Sequence, residues 1–242
     1  MNVIFNRLVR LTGLSNFEKI QKSKVIIFGV GGVGSWCAES LIRSGIEHLT
    51  IVDADTVCPT NINRQLQATT KTVGQVKVDA LRDRLLDINP TANIISIDKI
   101  YNRETQAEFD LNTFDYVIDA IDSLTPKVDL IEHALKSKAT LFSSFGAASK
   151  LDPTRIQVKQ IWQTHGCPLG RLVRNRLKKL GVKKKFLCVF SDEVLPVYDI
   201  VDNSNVENNL FNKKQINGSI THITGIFGFN LAGLVINSII SK

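Results

Sequence analysis

Four glycines fall within the six positions GVGGVG (29–34), directly after an apolar run. Gly29, Gly31 and Gly34 fit the spacing G-x-G-x-x-G. Glycine there permits a tight strand-to-helix turn and lets a phosphate reach backbone N–H groups at a helix N-terminus. Asp53 stands nineteen residues beyond Gly34, where a second strand should end and a carboxylate can accept from ribose hydroxyls. Two cations follow: Arg64 in TNINRQ (60–65) and Lys77 closing TVGQVK (72–77), both expected on loops at the same edge of a sheet. A nicotinamide site has little use for two strong cations there. ATP does, because its β- and γ-phosphates carry most of the charge and depart when the α-phosphorus is attacked. YVIDAIDS (116–123) then places Asp119 and Asp122 at the end of another strand. One of them could hold Mg2+ against phosphate oxygens, and one could cap a helix starting near Ser123.

Such residues need strands and helices to bring them together. Short β-branched runs predict strands at 25–28, 49–52, 94–97, 116–118 and 140–143. Trp36, Ala38, Leu41 and Ile42 predict a helix closed by Gly45. Val78, Leu81, Leu85 and Ile88 predict a second, stopped by Asn89-Pro90, and 127–137 a third. Strands alternating with helices imply an α/β fold, a Rossmann-like, mostly parallel sheet covered on both faces. The expected organisation is an N-terminal helical arm (1–22) and a single domain (23–242), whose C-terminal part completes the sheet and a dimer interface. Residues 199–218 include six asparagines and read as a polar loop. The stretch 220–240 is uncharged and just long enough to span a bilayer, but Thr221, His222, Thr224, Asn230 and Asn237 interrupt it. A core helix, or a strand plus helix, at a subunit contact is the expectation over membrane contact.

The four cysteines, Cys37, Cys58, Cys167 and Cys188, are scattered and form no C-x-x-C pair. That pattern suits a reducing cytoplasm and offers no zinc ribbon. The opening MNVIFNRLVRLTGL is amphipathic and lacks the uninterrupted apolar core of a secretory signal. Net charge is +7, and the segment 171–185 holds eight basic residues and no acid, so the remainder sums to 7 − 8 = −1. One basic strip therefore carries the whole excess, a candidate surface for a polyanion. On a helix from 171 to 180, Val173, Leu177 and Leu180 would dock, leaving Arg171, Arg174 and Lys178 on another face.

The motifs GVGGVGS, DAD, TNINRQ, TVGQVK and DAIDS, in this order, resemble the ATP-dependent adenylyltransferases related to ubiquitin-activating enzymes. The resemblance implies that Gly29, Gly31, Gly32, Gly34, Asp53, Asp55, Asn61, Asn63, Arg64, Lys77 and Asp122 line an ATP site, with Asp122 as the Mg2+ ligand. It also implies a homodimer in which Arg10 of the N-terminal helix reaches the partner's phosphates, beside Arg64, Lys77 and Asp122 in catalysis. RLVRLTG, VGSW, DTVCPTNINRQ, LDPTRIQV, PLGRLVRNRLKK and CVFSDE are similar to the bacterial branch that dehydrates threonylcarbamoyladenosine beside the anticodon of tRNA. In that branch ATP activates the threonyl carboxylate, and the carbamoyl group closes onto it to give an oxazolone and AMP. Arg171, Arg174, Arg176, Lys178 and Lys179 would then meet tRNA. Two departures stand out: FGAAS (145–149) replaces a glycine-rich run, and Cys167 rather than an acid precedes Pro168. A monovalent cation and sulfur-relay proteins are left open. So are three other readings: activation of a sulfur-carrier C-terminus, a dinucleotide-dependent oxidoreductase, and a nucleotide sensor without catalysis.

Overall fold

The computed structural model describes residues 3–195 and 218–241. Seven strands form one sheet in the order β3-β2-β1-β4-β5-β7-β6. They are β1 (Lys24–Phe28), β2 (His48–Val52), β3 (Asn93–Ile97), β4 (Tyr116–Asp119), β5 (Thr140–Ser144), β6 (Ile156–Gln160) and β7 (Leu187–Ser191). All neighbours pair in parallel except β6, which runs antiparallel on the edge. The strand order reverses at β1, so the crevice between the C-terminal ends of β1 and β4 is where such a sheet offers a ligand site.

Among the described residues there are seven α-helices: α1 (Asn6–Thr12), α2 (Leu14–Lys22), α3 (Gly34–Arg43), α4 (Lys77–Ile88), α5 (Leu124–Lys136), α6 (Pro168–Lys179) and α7 (Thr221–Ile240). In β1, Val25 and Ile27 pack with residues of α3, α4 and α7, whereas Ile26 and Phe28 pack with residues of α5 and α6. Successive side chains leave a strand on opposite faces, so a strand buried on both sides must be apolar throughout.

The 220–240 stretch is a single helix, α7. Among the described residues it is the one helix long and apolar enough to cross a membrane, and half of it is buried in the protein. It lies against α3 so closely that a Cβ on Gly228 would come within 2.6 Å of the Val33 carbonyl oxygen. Three expectations need correction. The edge strand β6 was not foreseen, because its residues are only half-buried and show no apolar run. The helix α5 begins at Leu124, three residues before the expected start, capped by neither aspartate. The basic helix α6 starts earlier and ends earlier, leaving Leu180 46% exposed while Val173 and Leu177 dock. The polar loop at 199–218 lies outside the described residues except for Gly218.

Candidate active site

The glycine turn joins β1 to α3. Gly29 has φ of +87°, and a Cβ on Gly34 would sit 1.9 Å from the Gly29 carbonyl oxygen, so both positions exclude a side chain. At Gly31 the added Cβ would meet only Gln65, at 3.8 Å. The first two glycines close the turn; the third keeps space open in front of it.

A cleft of about 690 Å³ opens at this turn. Its lining includes Gly29, Gly31, Gly32, Asp53, Asp55, Arg64, Lys77 and Asp122, brought from five separate stretches of chain. Gly34, Asn61, Asn63 and Arg10 do not line it. Asn61 accepts from the Cys58 N–H at 3.0 Å and shapes the loop after β2. Asn63 donates to the Ser219 carbonyl at 2.8 Å and ties that loop to the start of α7. Arg10 lies exposed on α1.

Asp53 anchors the turn. It accepts from the Val30 N–H at 2.8 Å and from the Asp55 N–H at 3.0 Å. Burial pushes its carboxyl above the usual carboxylate range, against the pull of these N–H groups and of Lys77. Gln67 holds the turn from the other side, donating to the Val30 carbonyl at 2.8 Å.

Lys77 is not on a loop. It is the first residue of α4, 5% exposed, with its ammonium 2.7 Å from Asp55. A buried cation at the positive end of a helix dipole is unfavourable without anions nearby. Asp55 supplies one of them, and its own side chain is 72% exposed. The Arg64 guanidinium is oriented by the Thr60 carbonyl at 2.8 Å and the Asn63 amide oxygen at 2.9 Å. Its backbone carbonyl accepts from the Trp36 indole at 3.1 Å, fixing the loop to α3. Two cations thus line the cleft that the glycine turn opens, an arrangement that suits a polyphosphate.

The two aspartates after β4 separate sharply. Asp122 is exposed at the cleft. Asp119 is sealed, paired with Lys127 at 2.7 Å and accepting from Ser143 at 2.6 Å, with both ions at 0% exposure. Burial raises the Asp119 carboxyl, and Lys127 and Ser143 oppose that shift. The pair pins α5 to the switch point, and nothing in the spacing of the residues announced it. Lys127→Met should destabilise the fold by about 3–5 kcal/mol, because it strands a buried carboxylate. Thermal unfolding measures this, and an unchanged midpoint would show the pair to be dispensable.

The basic helix reaches the same cleft through Leu169. Arg174 donates to the Thr164 hydroxyl at 2.5 Å and Arg176 to the Thr125 hydroxyl at 2.9 Å, so both are engaged within the protein. Arg171, Lys178 and Lys179 are exposed. Sequence reasoning did not assign Lys127, Gln65, Tyr101, Ser219 or Thr224 to the site; the last four line the cleft. Of these, only Gln65 stood within a recognised motif.

Fold and site together define a Rossmann-like α/β protein whose glycine turn opens on a cleft lined by two cations. The chain belongs to the ThiF family, whose profile matches residues 5–242. It is similar to the tRNA threonylcarbamoyladenosine dehydratase of Bacillus subtilis, 45% identical over 189 residues that span 78% of this chain and 74% of that one. It is 34% identical to the dehydratase of Escherichia coli over 256 residues, spanning 98% of this chain and 94% of that one. The crystal structure of that E. coli enzyme in complex with ATP superposes with a TM-score of 0.87, at 33% identity, covering 98% of this chain and 94% of that one. The E. coli molybdopterin-synthase adenylyltransferase is 29% identical over 199 residues.

Proposed function

We propose that this chain is an ATP-dependent tRNA threonylcarbamoyladenosine dehydratase. The observation that carries the reading is the convergence of Arg64 and Lys77 on an open glycine turn, at a cleft that α6 borders. Similarity to the dehydratases of two bacteria, over 98% of this chain for the Escherichia coli enzyme and 78% for that of Bacillus subtilis, supports the substrate. ATP is consumed as a co-substrate, and its part is to turn a poor carboxylate electrophile into an adenylate with AMP as leaving group.

The residues fit that substrate. The glycine turn would receive the phosphates, Asp53 keeps lone pairs for ribose hydroxyls, and Arg64 and Lys77 would meet the departing phosphates. Asp122 would hold Mg2+, which binds one or two carboxylates and completes its shell from phosphate and water. The tethered carbamoyl group then needs positioning more than a protein nucleophile, since an intramolecular attack has a high effective molarity. Accordingly no cysteine is given a role. Cys37, Cys167 and Cys188 are buried; Cys58 is exposed, its thiol lowered by a hydrogen bond from Thr60.

The working enzyme is read as a cytoplasmic homodimer with Arg10 acting across the interface. Exposed Leu11, Leu14 and Phe229, on α1, α2 and α7, supply apolar surface for that contact. Incubation with ATP and tRNA bearing threonylcarbamoyladenosine should release AMP and pyrophosphate and remove one water from the modified nucleoside. If a sulfur-carrier protein elicits AMP and tRNA does not, the alternative activity replaces this one.

The strip on α6 gives a second test. If about four cations meet phosphates of a single-stranded loop, log affinity should fall with log salt at a slope of roughly −3. Because Arg174 is engaged with Thr164, the variant to make is Arg171→Ala, Lys178→Ala, Lys179→Ala. It should flatten the slope and raise the KM for tRNA while sparing ATP affinity. An unaltered slope would move the tRNA surface elsewhere.

A further inference from the structure

The two edges of the sheet carry different chemistry. The cleft at the glycine turn lies beyond the C-terminal ends of β1 and β4. A second cleft, of about 540 Å³, opens at the opposite edge, where β5 and β7 begin. Thr140 and Leu187, the first residues of those strands, line it together with Lys184 and Lys185. Among the described residues no acid lines it. Lys138, between the lining residues Ser137 and Ala139, is exposed at the same rim.

The lysine run is pinned at both ends. Gly181, with φ of +71°, turns the chain after α6. The Val182 N–H then donates to the Leu177 carbonyl at 3.0 Å, and Phe186 is buried in the core. Lys183, Lys184 and Lys185 stand exposed between these two anchors. Lys184 donates to the Leu135 carbonyl, which ties the run to the end of α5. Lys183 and Lys185 have no acid partner among the described residues. Like charges held side by side repel one another, and a polyanion relieves that repulsion best.

One helix joins the two clefts. Leu169, in the first turn of α6, lines the cleft of the glycine turn, and the lysine run follows the last turn. The twelve residues of α6 rise about 18 Å. Stacked nucleotides advance by roughly 3.4 Å per step, so that length covers about five of them. A base beside the anticodon is fewer nucleotides than that from the stem that closes its loop. A tRNA with its modified base at the first cleft, running along α6, therefore meets the lysines as paired stem.

Resting on the tRNA reading above, we infer that Lys183 and Lys185, with Lys138, form a separate contact for the paired anticodon stem. Lysine suits this task. An RNA duplex hides its base edges in a deep, narrow groove and is held through its phosphates and 2′-hydroxyls. An ammonium meets those phosphates as a point charge, whatever the bases. Such a contact reads a helical stem and not its sequence, so one surface serves tRNAs that differ there.

Fluorescence-anisotropy titrations of the full chain with two labelled RNAs test this. One is an anticodon hairpin with its stem; the other has the same loop and length, with flanks that cannot pair. Lys183→Ala, Lys185→Ala removes two exposed side chains and should leave the melting temperature level. For the hairpin, the slope of log affinity against log salt should become shallower by about two, with the duplex coefficient. For the unpaired RNA it should barely move. Equal flattening for both RNAs would show general attraction of polyanions and overturn the stem assignment. An unchanged slope for both would overturn it too, and leave the lysines to solubility. If the wild-type chain binds neither RNA, the tRNA reading itself fails, a result distinct from tight hairpin binding that the variant leaves intact.

Discussion

Lys77→Met should lower tRNA-dependent AMP release on the order of a hundredfold, as for loss of a strong oxyanion contact. Methionine is the right replacement because Lys77 is buried at the start of α4, and alanine would add a cavity to the lost charge. Asp55 loses its partner but is mostly exposed, so water takes over and the fold should survive. Arg64→Ala should produce a loss of similar size, its guanidinium being oriented by loop groups that do not depend on it for burial. Pyrophosphate departs with more negative charge on its oxygens than it had in ATP, and a cation held in place stabilises that state more than the ground state. Steady-state AMP release at saturating tRNA, with circular dichroism as a check on folding, reads both variants. Near-normal release from the double variant would sink the assignment of this cleft to ATP.

A mixing experiment should show a large effect in the opposite direction. Arg10→Ala and Lys77→Met, each nearly inactive alone, should recover activity when combined and allowed to exchange subunits. Arg10 is exposed on α1 and absent from the lining of its own cleft, which suits the proposed role across an interface. With equal amounts and random exchange, half the dimers are mixed, and each mixed dimer has one intact composite site. Recovery should therefore approach about a quarter of wild-type activity, the arithmetic of a two-fold symmetric dimer. No recovery despite demonstrated exchange would place Arg10 in its own subunit's chemistry or in none.

How much of this was legible beforehand depends on the range of each interaction. The glycine turn was readable because its requirements are local: a positive φ at Gly29 and a carbonyl 1.9 Å from any Cβ at Gly34 act within six residues. The same holds for β1, whose unbroken apolar run announces burial on both faces, and for α4, whose spacing of three and four puts one stripe against the sheet. The edge strand β6 was not readable, since an edge strand is half-solvated and its pairing with β7 comes from across the sheet. Asp119 and Asp122 looked equivalent by position alone; the family resemblance singled out Asp122, and the structure supplies the physical reason.

By itself, then, the sequence determined a parallel α/β frame, a glycine turn after its first strand, a carboxylate at the end of the second and two cations nearby. These follow from backbone sterics and hydrophobic period, which operate over a few residues. Only the tertiary structure decided which aspartate faces the cleft, because that depended on Lys127 and Ser143 arriving from α5 and β5 to neutralise the other. It also decided that Lys77 is locked to Asp55, that Arg174 and Arg176 are engaged with Thr164 and Thr125, and that Gln65 is buried beside Gly31. Charge and hydrogen-bonding capacity are fixed by residue type, but the partner that satisfies them is fixed by packing, and packing joins residues far apart in the chain.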